Sequence, residues 1–217
     1  MGIKLYGVGQ SIYTRKVLAC LYEKEVEFEF VDVDVFKSKE HKNEFFLARN
    51  PFGQVPVMEI DGDITLFESR AMTQFLAHNF MDQGTQFIFP HDKKKMAEMA
   101  PWIEVESTKF SPIAAKLGFE CLFKSMYGLG SEIDEAVVSQ LEEELCKLLD
   151  VYEVRLSKCK YLSGDDFGLA DLHHMPEFEN IMKIGSKKIV EARPNVSKWV
   201  ATILARPSWA KVLAMQN

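Results

Sequence analysis

Residues 55–80 read VPVMEIDGDITLFESRAMTQFLAHNF, and they contain two short β-rich runs followed by an amphipathic helical stretch. The runs VPVMEI and ITLF are joined by DGD at 61–63, and so tight a turn between two such runs is typical of a β-hairpin. The helical stretch places Ala71, Phe75 and Leu76 on one side. These residues therefore predict two antiparallel strands and a helix that packs on them.

The chain before this hairpin alternates strand and helix. Residues 3–6 and 26–32 (VEFEFVD) have strand-like composition, and about 13 residues between them follow a helical period. A strand, a helix and a second strand pair in parallel through a right-handed crossover. A short polar helix is predicted around Lys39–Ala48. With the hairpin and its helix, this order predicts a mixed four-stranded sheet covered by helices.

The sequence changes character after this unit. Residues 81–91 (MDQGTQFIFPH) break the pattern and are predicted to be a linker. Beyond them every periodic stretch is helical; residues 134–156, for example, place one apolar side chain on the same face at nearly every turn. The chain is thus predicted to form an α/β domain over residues 1–80 and an all-helical domain over residues 92–217.

Composition narrows the class of protein. The 217 residues are 47% hydrophobic, enough to bury one sizeable core or two smaller ones, and the net charge of -6 argues against a nucleic-acid surface. No apolar run approaches the roughly 20 residues that span a bilayer, and the strand-like start predicts no signal segment. The four cysteines lack CxxC spacing, so we expect free thiols, no metal and a cytosolic location.

Residues 6–24 (YGVGQSIYTRKVLACLYEK) lead from the first strand through a glycine-containing turn into a helix. They are not a dinucleotide fingerprint, because Ile12 stands where GxGxxG needs its third glycine, and the P-loop pattern is also absent. Ser11 would lie at the helix N-terminus. There its hydroxyl could donate to an anion that the helix dipole also favours, or cap the helix, which is the commoner role.

Two further sites lie in the hairpin region. Val55-Pro56 at a strand start is compatible with a cis peptide, which would turn the preceding backbone outward to pair with an extended peptide. Glu68 and Ser69 open the next helix. Ser69 offers a second N-terminal anion site and Glu68 could meet an ammonium group, with helix capping as the alternative for both.

Segments along nearly the whole chain form a recognisable set. They are SIYTRKV (11–17), EHK (40–42), NPFGQVPV (50–57), LFESRA (66–71), WIEVE (102–106), VYEVRLSKCKYLSGDDFGLADLHH (151–174), RPNVSKW (193–199) and RPSW (206–209). The most specific part is NPFGQVP followed at this spacing by ESRA. In these segments the chain resembles the cytosolic glutathione transferases, most closely the phi class found in plants. The first domain is accordingly expected to be thioredoxin-like.

This resemblance implies a glutathione site on the first domain. Ser11 matches the catalytic serine whose hydroxyl donates to the glutathione sulfur and so favours thiolate over thiol. His41 and Lys42 match the pair that holds the glycine carboxylate of the tripeptide. Arg15, one helical turn after Ser11, either tunes the local field or makes a structural ion pair. The thiolate would then attack a bound electrophile, and no permanently bound cofactor is expected.

The rest of the tripeptide site is implied in the same way. Gln54 and Val55 match the residues beside the cis-proline, here Pro56, and the valine backbone pairs with the cysteinyl moiety. Glu68 and Ser69 match those that hold the γ-glutamyl end. A tripeptide with two carboxylates and one ammonium group needs two contacts to anions and one acid, which this set supplies.

The partner sites are less defined. Phe52 matches the position where related enzymes insert an aromatic side chain into the partner subunit, so we expect a homodimer. Core packing is the alternative for each candidate of the hydrophobic electrophile pocket. These candidates are Ile12, Tyr13, Phe36, Ile113, Leu117 and Tyr127.

The expected function is conjugation of glutathione to hydrophobic electrophiles in detoxification or stress response, with hydroperoxide reduction as a side activity. A non-catalytic carrier of hydrophobic ligands is the alternative. A thiol-disulfide oxidoreductase or dehydroascorbate reductase is disfavoured, because those relatives place cysteine at the position of Ser11.

Two departures from the family concern the second domain. Gly168 replaces the usual Ser or Thr of a capping box with Asp171, and Pro101 and Pro112 interrupt a long helix.

Overall fold

The computed structural model describes residues 1–215, and these divide into two compact units. The first comprises Met1–Ile88 and the chain from Pro207 onward, and the second comprises Phe89–Arg206. The first unit contains one sheet of four strands in the order β2-β1-β3-β4. Its strands are β1 (Ile3–Gly7), β2 (Glu29–Asp32), β3 (Val57–Ile60) and β4 (Ile64–Phe67).

The pairing of these strands confirms the predicted mixed sheet. β1 pairs with β2 in parallel and with β3 antiparallel, and β3 and β4 form the hairpin. In its turn Asp61 and Gly62 have φ angles of 53° and 74°, the left-handed conformation that such tight turns use. The DGD turn and the two β-rich runs beside it were therefore sufficient to predict the hairpin of β3 and β4.

Four helical segments of the first unit are close to the predicted ones. The structure contains α1 (Ile12–Glu23), a 3₁₀ turn (Glu40–Lys42), α2 (Glu44–Leu47) and α3 (Ser69–Asn79). The single helix predicted around Lys39–Ala48 is divided in two, because Asn43 is extended at φ -77° and ψ 164°. Its side chain accepts a hydrogen bond from the Phe46 N–H and so begins a new helix.

The last helix, α11 (Pro207–Ala214), packs in the first unit and contacts α1. The sequence assigned residues 92–217 to the helical domain, so this placement differs from that assignment. Its physical reason is burial: Trp209 and Val212 have no exposed surface. The Ser208 hydroxyl also donates to the buried carboxylate of Glu23 at the end of α1. A helical period alone does not tell which neighbour a helix covers.

The second unit is helical, and between residues 89 and 206 its β-type pairing is one isolated bridge, Tyr161 with Gly164. Its α-helices are α4 (Lys93–Val105), α5 (Ser111–Gly118), α6 (Lys124–Met126), α7 (Glu135–Leu156), α8 (Leu169–Ile181), α9 (Lys187–Glu191) and α10 (Pro194–Leu204). None of the helices in the described part of the chain is long and apolar enough to cross a membrane.

The two prolines do not break the helical path from α4 to α6. Pro101 lies inside α4, and Pro112 lies in the first turn of α5, directly after the first of two π-helical segments. The path instead changes pitch in two π-helical segments, Glu106–Phe110 and Phe119–Phe123. The interruption expected at Pro101 and Pro112 is therefore wrong, because the helical path continues through both prolines.

Helix α8 is buried along almost its whole length and is organised by Asp171, which has no exposed surface. The carboxylate accepts from the Gly168 N–H at 3.0 Å, which confirms the predicted capping contact. It also accepts from the Leu162 N–H at 2.8 Å and from Trp199 Nε1–H at 2.9 Å. A Cβ on Gly168 would lie 2.3 Å from the Ser163 hydroxyl oxygen. So close an approach leaves no room for the side chain of the serine or threonine that is usual at this cap position.

Candidate functional site at one edge of the sheet

Strand pairing brings four chain connections to the same edge of the sheet. Gly7 and Asp32, the last residues of β1 and β2, lie opposite each other. Val57, the first residue of β3, pairs with Tyr6 on one side and with Phe67, the last residue of β4, on the other. The segments after β1, β2 and β4 and the segment before β3 therefore leave the sheet together.

These connections carry all the residues that the sequence predicted for glutathione binding. They are Ser11 after β1, His41 and Lys42 after β2, Gln54, Val55 and Pro56 before β3, and Glu68 and Ser69 after β4. A buried apolar cluster includes residues of the strands and of the segments that follow or precede them. It contains Tyr6, Val33, Phe46 and Val57, and Val55 packs against it. The topology, and not any one motif, thus gathers these residues.

Ser11 is the N-cap of α1 and is half-buried. Its hydroxyl oxygen accepts a hydrogen bond from the Thr14 N–H at 3.3 Å. A hydroxyl that accepts in this way still has a proton to donate. No residue in the described part of the chain accepts that proton. Capping and donation to an anion, which the sequence posed as alternatives, are therefore compatible in one side chain.

Two features shape the turn before Ser11: the small size of Gly7 and a hydrogen bond from Arg15. A Cβ on Gly7 would lie 2.6 Å from Thr14 Cγ2, so glycine allows the end of β1 to approach α1 closely. The Nε–H of Arg15, which is 4% exposed, donates to the Gly9 carbonyl at 2.8 Å. Gly7 and Gly9 therefore shape a close corner, and Arg15 fixes the loop that leads to Ser11.

His41 and Lys42 lie in the 3₁₀ turn after β2. The Lys42 ammonium group donates to the carbonyls of Gly53 at 2.9 Å and of Phe52 at 3.2 Å, which ties this turn to the loop before β3. The buried Nδ1 of His41 has no hydrogen-bond partner among residues 1–215. Burial, and then the positive charges of Lys42 and Lys39, hold the pKa of His41 below its usual value. Its imidazole is therefore neutral at pH 7.

The loop before β3 is ordered by Asn50, which is 2% exposed. Its side chain donates to the Gln54 carbonyl at 2.7 Å and accepts from the Phe52 N–H at 3.0 Å. The Val55-Pro56 peptide is cis, as the sequence allowed. Among the described residues, neither the N–H nor the carbonyl of Val55 has a hydrogen-bond partner. A short extended peptide could pair with this backbone.

Glu68 and Ser69 form the start of α3. Glu68 is the N-cap residue, with φ 71° and ψ 108°, a left-handed backbone that is unusual for a residue with a side chain. Its carboxylate makes no capping hydrogen bond, and within residues 1–215 neither it nor the Ser69 hydroxyl has a polar partner. The capping role that the sequence left open for both side chains is thus not the one they adopt.

The candidates for the electrophile pocket differ in exposure, and each is described within its own unit. In the first unit Tyr13 and Phe36 are 39% and 45% exposed, whereas Ile12 is 9% exposed. In the second unit Tyr127 is exposed, and Leu117 has no exposed surface. Leu117 therefore fits the alternative of core packing. Ile113 is half-buried.

Sequence reasoning missed two residues that shape this edge. Asn50 belongs to the NPFGQVP motif, but the sequence predicts no role for it, although an Asn before Pro commonly closes its side chain onto nearby backbone groups. Asp34 was not singled out, yet its carboxylate accepts four hydrogen bonds in the loop after β2. Within residues 1–215 no cluster of three His, Cys, Asp or Glu side chains is arranged to hold a metal ion.

Two family models match this chain. Residues 1–78 match "Glutathione S-transferase, N-terminal domain" and residues 110–207 match "Glutathione S-transferase, C-terminal domain". A glutathione S-transferase from Hyoscyamus muticus is 51% identical over 98% of both chains. The crystal structure of glutathione transferase F7 from Populus trichocarpa has a TM-score of 0.94 and 42% identity, with 99% of each chain covered.

A third similar protein was solved with a ligand. It is glutathione S-transferase I from maize in complex with an atrazine glutathione conjugate, with a TM-score of 0.90 and 36% identity over 99% of this chain and 97% of that one. The fold defines a protein with a thioredoxin-like first domain and a helical second domain. The chain belongs to the glutathione S-transferase family. The resemblance to its plant phi class is confirmed.

Proposed function

We propose that this protein conjugates glutathione to hydrophobic electrophiles in detoxification, with Ser11 as the residue that stabilises the glutathione thiolate. The observation that carries the proposal is the geometry of Ser11. Its oxygen caps α1 through the Thr14 N–H, and its proton has no acceptor among residues 1–215. A thiolate placed at this helix N-terminus would accept that proton and interact favourably with the helix dipole.

The energy required is modest. A free thiol has a pKa of about 8.5, so only a small fraction is ionised at neutral pH. Lowering this pKa by about two units would make thiolate the main form and needs roughly 2.7 kcal/mol of preferential stabilisation. A hydrogen bond to a charged group contributes about 1.5–3 kcal/mol and a helix N-terminus about 0.3–1 kcal/mol. Ser11 and α1 together can supply this amount.

The remaining groups of the tripeptide fit the other connections at the sheet edge. His41 and Lys42 would hold the glycine carboxylate. The unpaired backbone of Val55, between Gln54 and Pro56, would pair with the cysteinyl residue. Glu68 would accept from the γ-glutamyl ammonium group, and Ser69 with the N-terminus of α3 would hold its carboxylate. Support comes from His41 Nδ1, the Val55 backbone, the Glu68 carboxylate and the Ser69 hydroxyl, which have no polar partners within residues 1–215. The Lys42 ammonium group already donates to the carbonyls of Phe52 and Gly53.

The chemical step uses the bound thiolate and no group of the enzyme as nucleophile. With a chlorinated nitroaromatic, the sulfur electron pair forms a bond to the ring carbon that bears chlorine, and chloride leaves with the electrons of the broken bond. Tyr13 and Phe36, both partly exposed, would offer apolar surface to such a ring, whereas Ile12 is 9% exposed and would offer little. Ile113 and Tyr127 stay predictions from sequence alone, whereas Leu117, which has no exposed surface, fits core packing.

An assay with glutathione and a chlorinated nitroaromatic tests this function. The proposal requires saturable release of chloride above the uncatalysed rate. Binding of the aromatic without turnover would instead support a ligand carrier. Disulfide chemistry at Cys20 is not supported, because this side chain has no exposed surface and burial raises the pKa of its thiol. Glutathione is abundant and reduced in the cytosol, which is the location that we propose.

The state of His41 predicts how glutathione binding depends on pH. In the free protein the pKa of His41 is lowered, and a bound carboxylate would raise it again. At a pH between the pKa of His41 in the free protein and its higher pKa in the complex, binding therefore takes up a proton. The affinity for the ligand consequently rises as the pH falls through this range. For S-methylglutathione, which has no titrating thiol, calorimetry should give about two- to fivefold tighter binding at pH 5.5 than at pH 7.5. His41→Gln should abolish this difference; its persistence would argue against a contact between His41 and the carboxylate.

We also propose a homodimer with Phe52 in the contact. Phe52 is 63% exposed, and it stands near Phe45 and Leu47 in sequence, which are 54% and 37% exposed. Large exposed apolar side chains on one part of a surface are typical of an interface. Phe52→Ser should shift the mass in light scattering from about twice 24.8 kDa toward 24.8 kDa. Ile64→Ser, an exposed apolar side chain in β4, is the control. An unaltered dimer in Phe52→Ser would count against this contact.

A further inference from the structure

The loop after β2, residues 34–42, is organised around one carboxylate. Asp34 Oδ1 accepts from the N–H groups of Phe36 at 3.0 Å and Lys37 at 2.9 Å. Its Oδ2 accepts from the N–H of Ser38 at 2.8 Å and from the hydroxyl of the same residue at 2.9 Å. Four hydrogen bonds to one side chain leave the first half of this loop little freedom.

A second pair of contacts closes the loop. The Glu40 N–H donates to the Asp34 carbonyl at 2.8 Å, and the Asp34 N–H donates to Glu40 Oε2 at 2.9 Å. Between them Lys39 takes the left-handed conformation, with φ 53°. The next residues are His41 and Lys42. The direction in which these two leave the loop is therefore set by the contacts of Asp34 and Glu40.

These contacts also separate the charges of the loop. Both carboxylates point to backbone N–H groups, and those of Lys37 and Ser38 hold the pKa of Asp34 far below its usual value. The lysines at 37, 39 and 42 are exposed. Of these, Lys42 and Lys39 place positive charge close enough to His41 to lower the pKa of its imidazole.

We propose that Asp34 is a positioning residue for the glycine end of glutathione: it holds residues 34–42 so that His41 and Lys42 face the glycine carboxylate. This inference rests on the glutathione site proposed above and adds to it a residue that does not touch the substrate. Asp34 acts on binding of one carboxylate and not on the thiol, which Ser11 controls from another connection.

Steady-state kinetics of Asp34→Ala with two thiols test the inference. For glutathione, KM should rise about tenfold while kcat changes less than about twofold, because the lost contacts serve ground-state binding. The second thiol is the glutathione ester with its glycine carboxylate neutralised. Its KM should already be high in the wild type, and Asp34→Ala should raise it by less than about twofold, because the contact that Asp34 positions is missing. Asp32→Asn is the matched control. Asp32 is exposed and ends β2, and its side chain has no polar contact within residues 1–215, so its substitution should leave both KM values unchanged.

The outcomes separate the two proposals. A wild-type protein that conjugates neither thiol contradicts the proposed function, whatever Asp34 does. An active wild type with unchanged KM for glutathione in Asp34→Ala overturns the positioning role alone. Equal losses for glutathione and its ester, or a loss of kcat as large as that of affinity, also overturn it, because a general loosening of the fold would affect both thiols. In Asp34→Ala combined with Lys42→Ala, KM should rise less than the product of the single effects.

Discussion

Replacing Ser11 by alanine is expected to lower turnover at pH 6.5 by at least about tenfold. A thiol that is half-ionised at this pH loses about nine-tenths of its thiolate when its pKa rises by roughly 1.3 units, which corresponds to about 1.8 kcal/mol of lost thiolate stabilisation. The Ser11 hydroxyl lies at the N-cap of α1, and no residue among 1–215 accepts its proton. The helix N-terminus would remain, so some activity should persist. Stopped-flow or steady-state conjugation of a chlorinated nitroaromatic measures the effect.

The pH dependence distinguishes this loss from a general defect. Near pH 9 glutathione ionises without help, so the deficit of Ser11→Ala should shrink to within about threefold. Tyr13→Phe is the comparison, because it removes a hydroxyl close to Ser11 in sequence and keeps the aromatic ring of residue 13. It should leave the apparent pKa of the bound thiol as in the wild type. A deficit of Ser11→Ala that is equal at every pH would indicate a structural role for Ser11.

Asp171→Ala is expected to cause the largest loss of stability, about 3 kcal/mol in the free energy of unfolding. The substitution leaves the N–H groups of Leu162, Gly168 and Trp199 Nε1 without their acceptor in a fully buried place. Each such group costs about 1–3 kcal/mol. The loss is partly offset because a buried carboxylate, whose pKa burial raises here, is itself costly to desolvate.

Thermal unfolding measures this prediction. A loss of about 3 kcal/mol corresponds to a Tm lower by roughly 6–12 °C for a chain of this size. Asp165→Ala is the matched control, because Asp165 is an exposed acid on the loop before α8, and its substitution should change stability by less than about 0.5 kcal/mol. Equal Tm values for Asp171→Ala and the control would refute the role of Asp171 as the organiser of α8.

Local sequence signals were enough to predict most of the first unit. The DGD turn fixes the hairpin, and the apolar runs of β1 and β2 flank a helix whose start is marked by Ser11. The signals failed where the answer depends on distant packing. Nothing in the period of residues 207–214 tells that this helix packs on α1. Pro112 is typical of a break, although the helical path continues through it. Asn43 ends one short helix and begins another, which composition alone did not separate.

For the candidate site too, local sequence signals predicted some residues, and others depend on the whole fold. The motifs identified Ser11, Val55 and Glu68, because a helix start, an X-Pro peptide and an acid after a strand are visible in sequence. They could not reveal Asn50 and Asp34 as organisers, since a side chain that binds its own loop is compositionally like any other polar residue. Nor could they separate Leu117, which is buried, from exposed Phe36. Exposure depends on which elements meet, and that is decided by the whole fold.

The central claim is that Ser11 lowers the pKa of bound glutathione. Its most direct test is ultraviolet titration of the thiolate in the complex of enzyme and glutathione without electrophile. The account predicts half-ionisation near pH ~6.5 for the wild type and a value at least about one unit higher for Ser11→Ala. Ionisation of the wild-type complex near pH ~8.5, as for free glutathione, or the same pKa in both proteins, would contradict it.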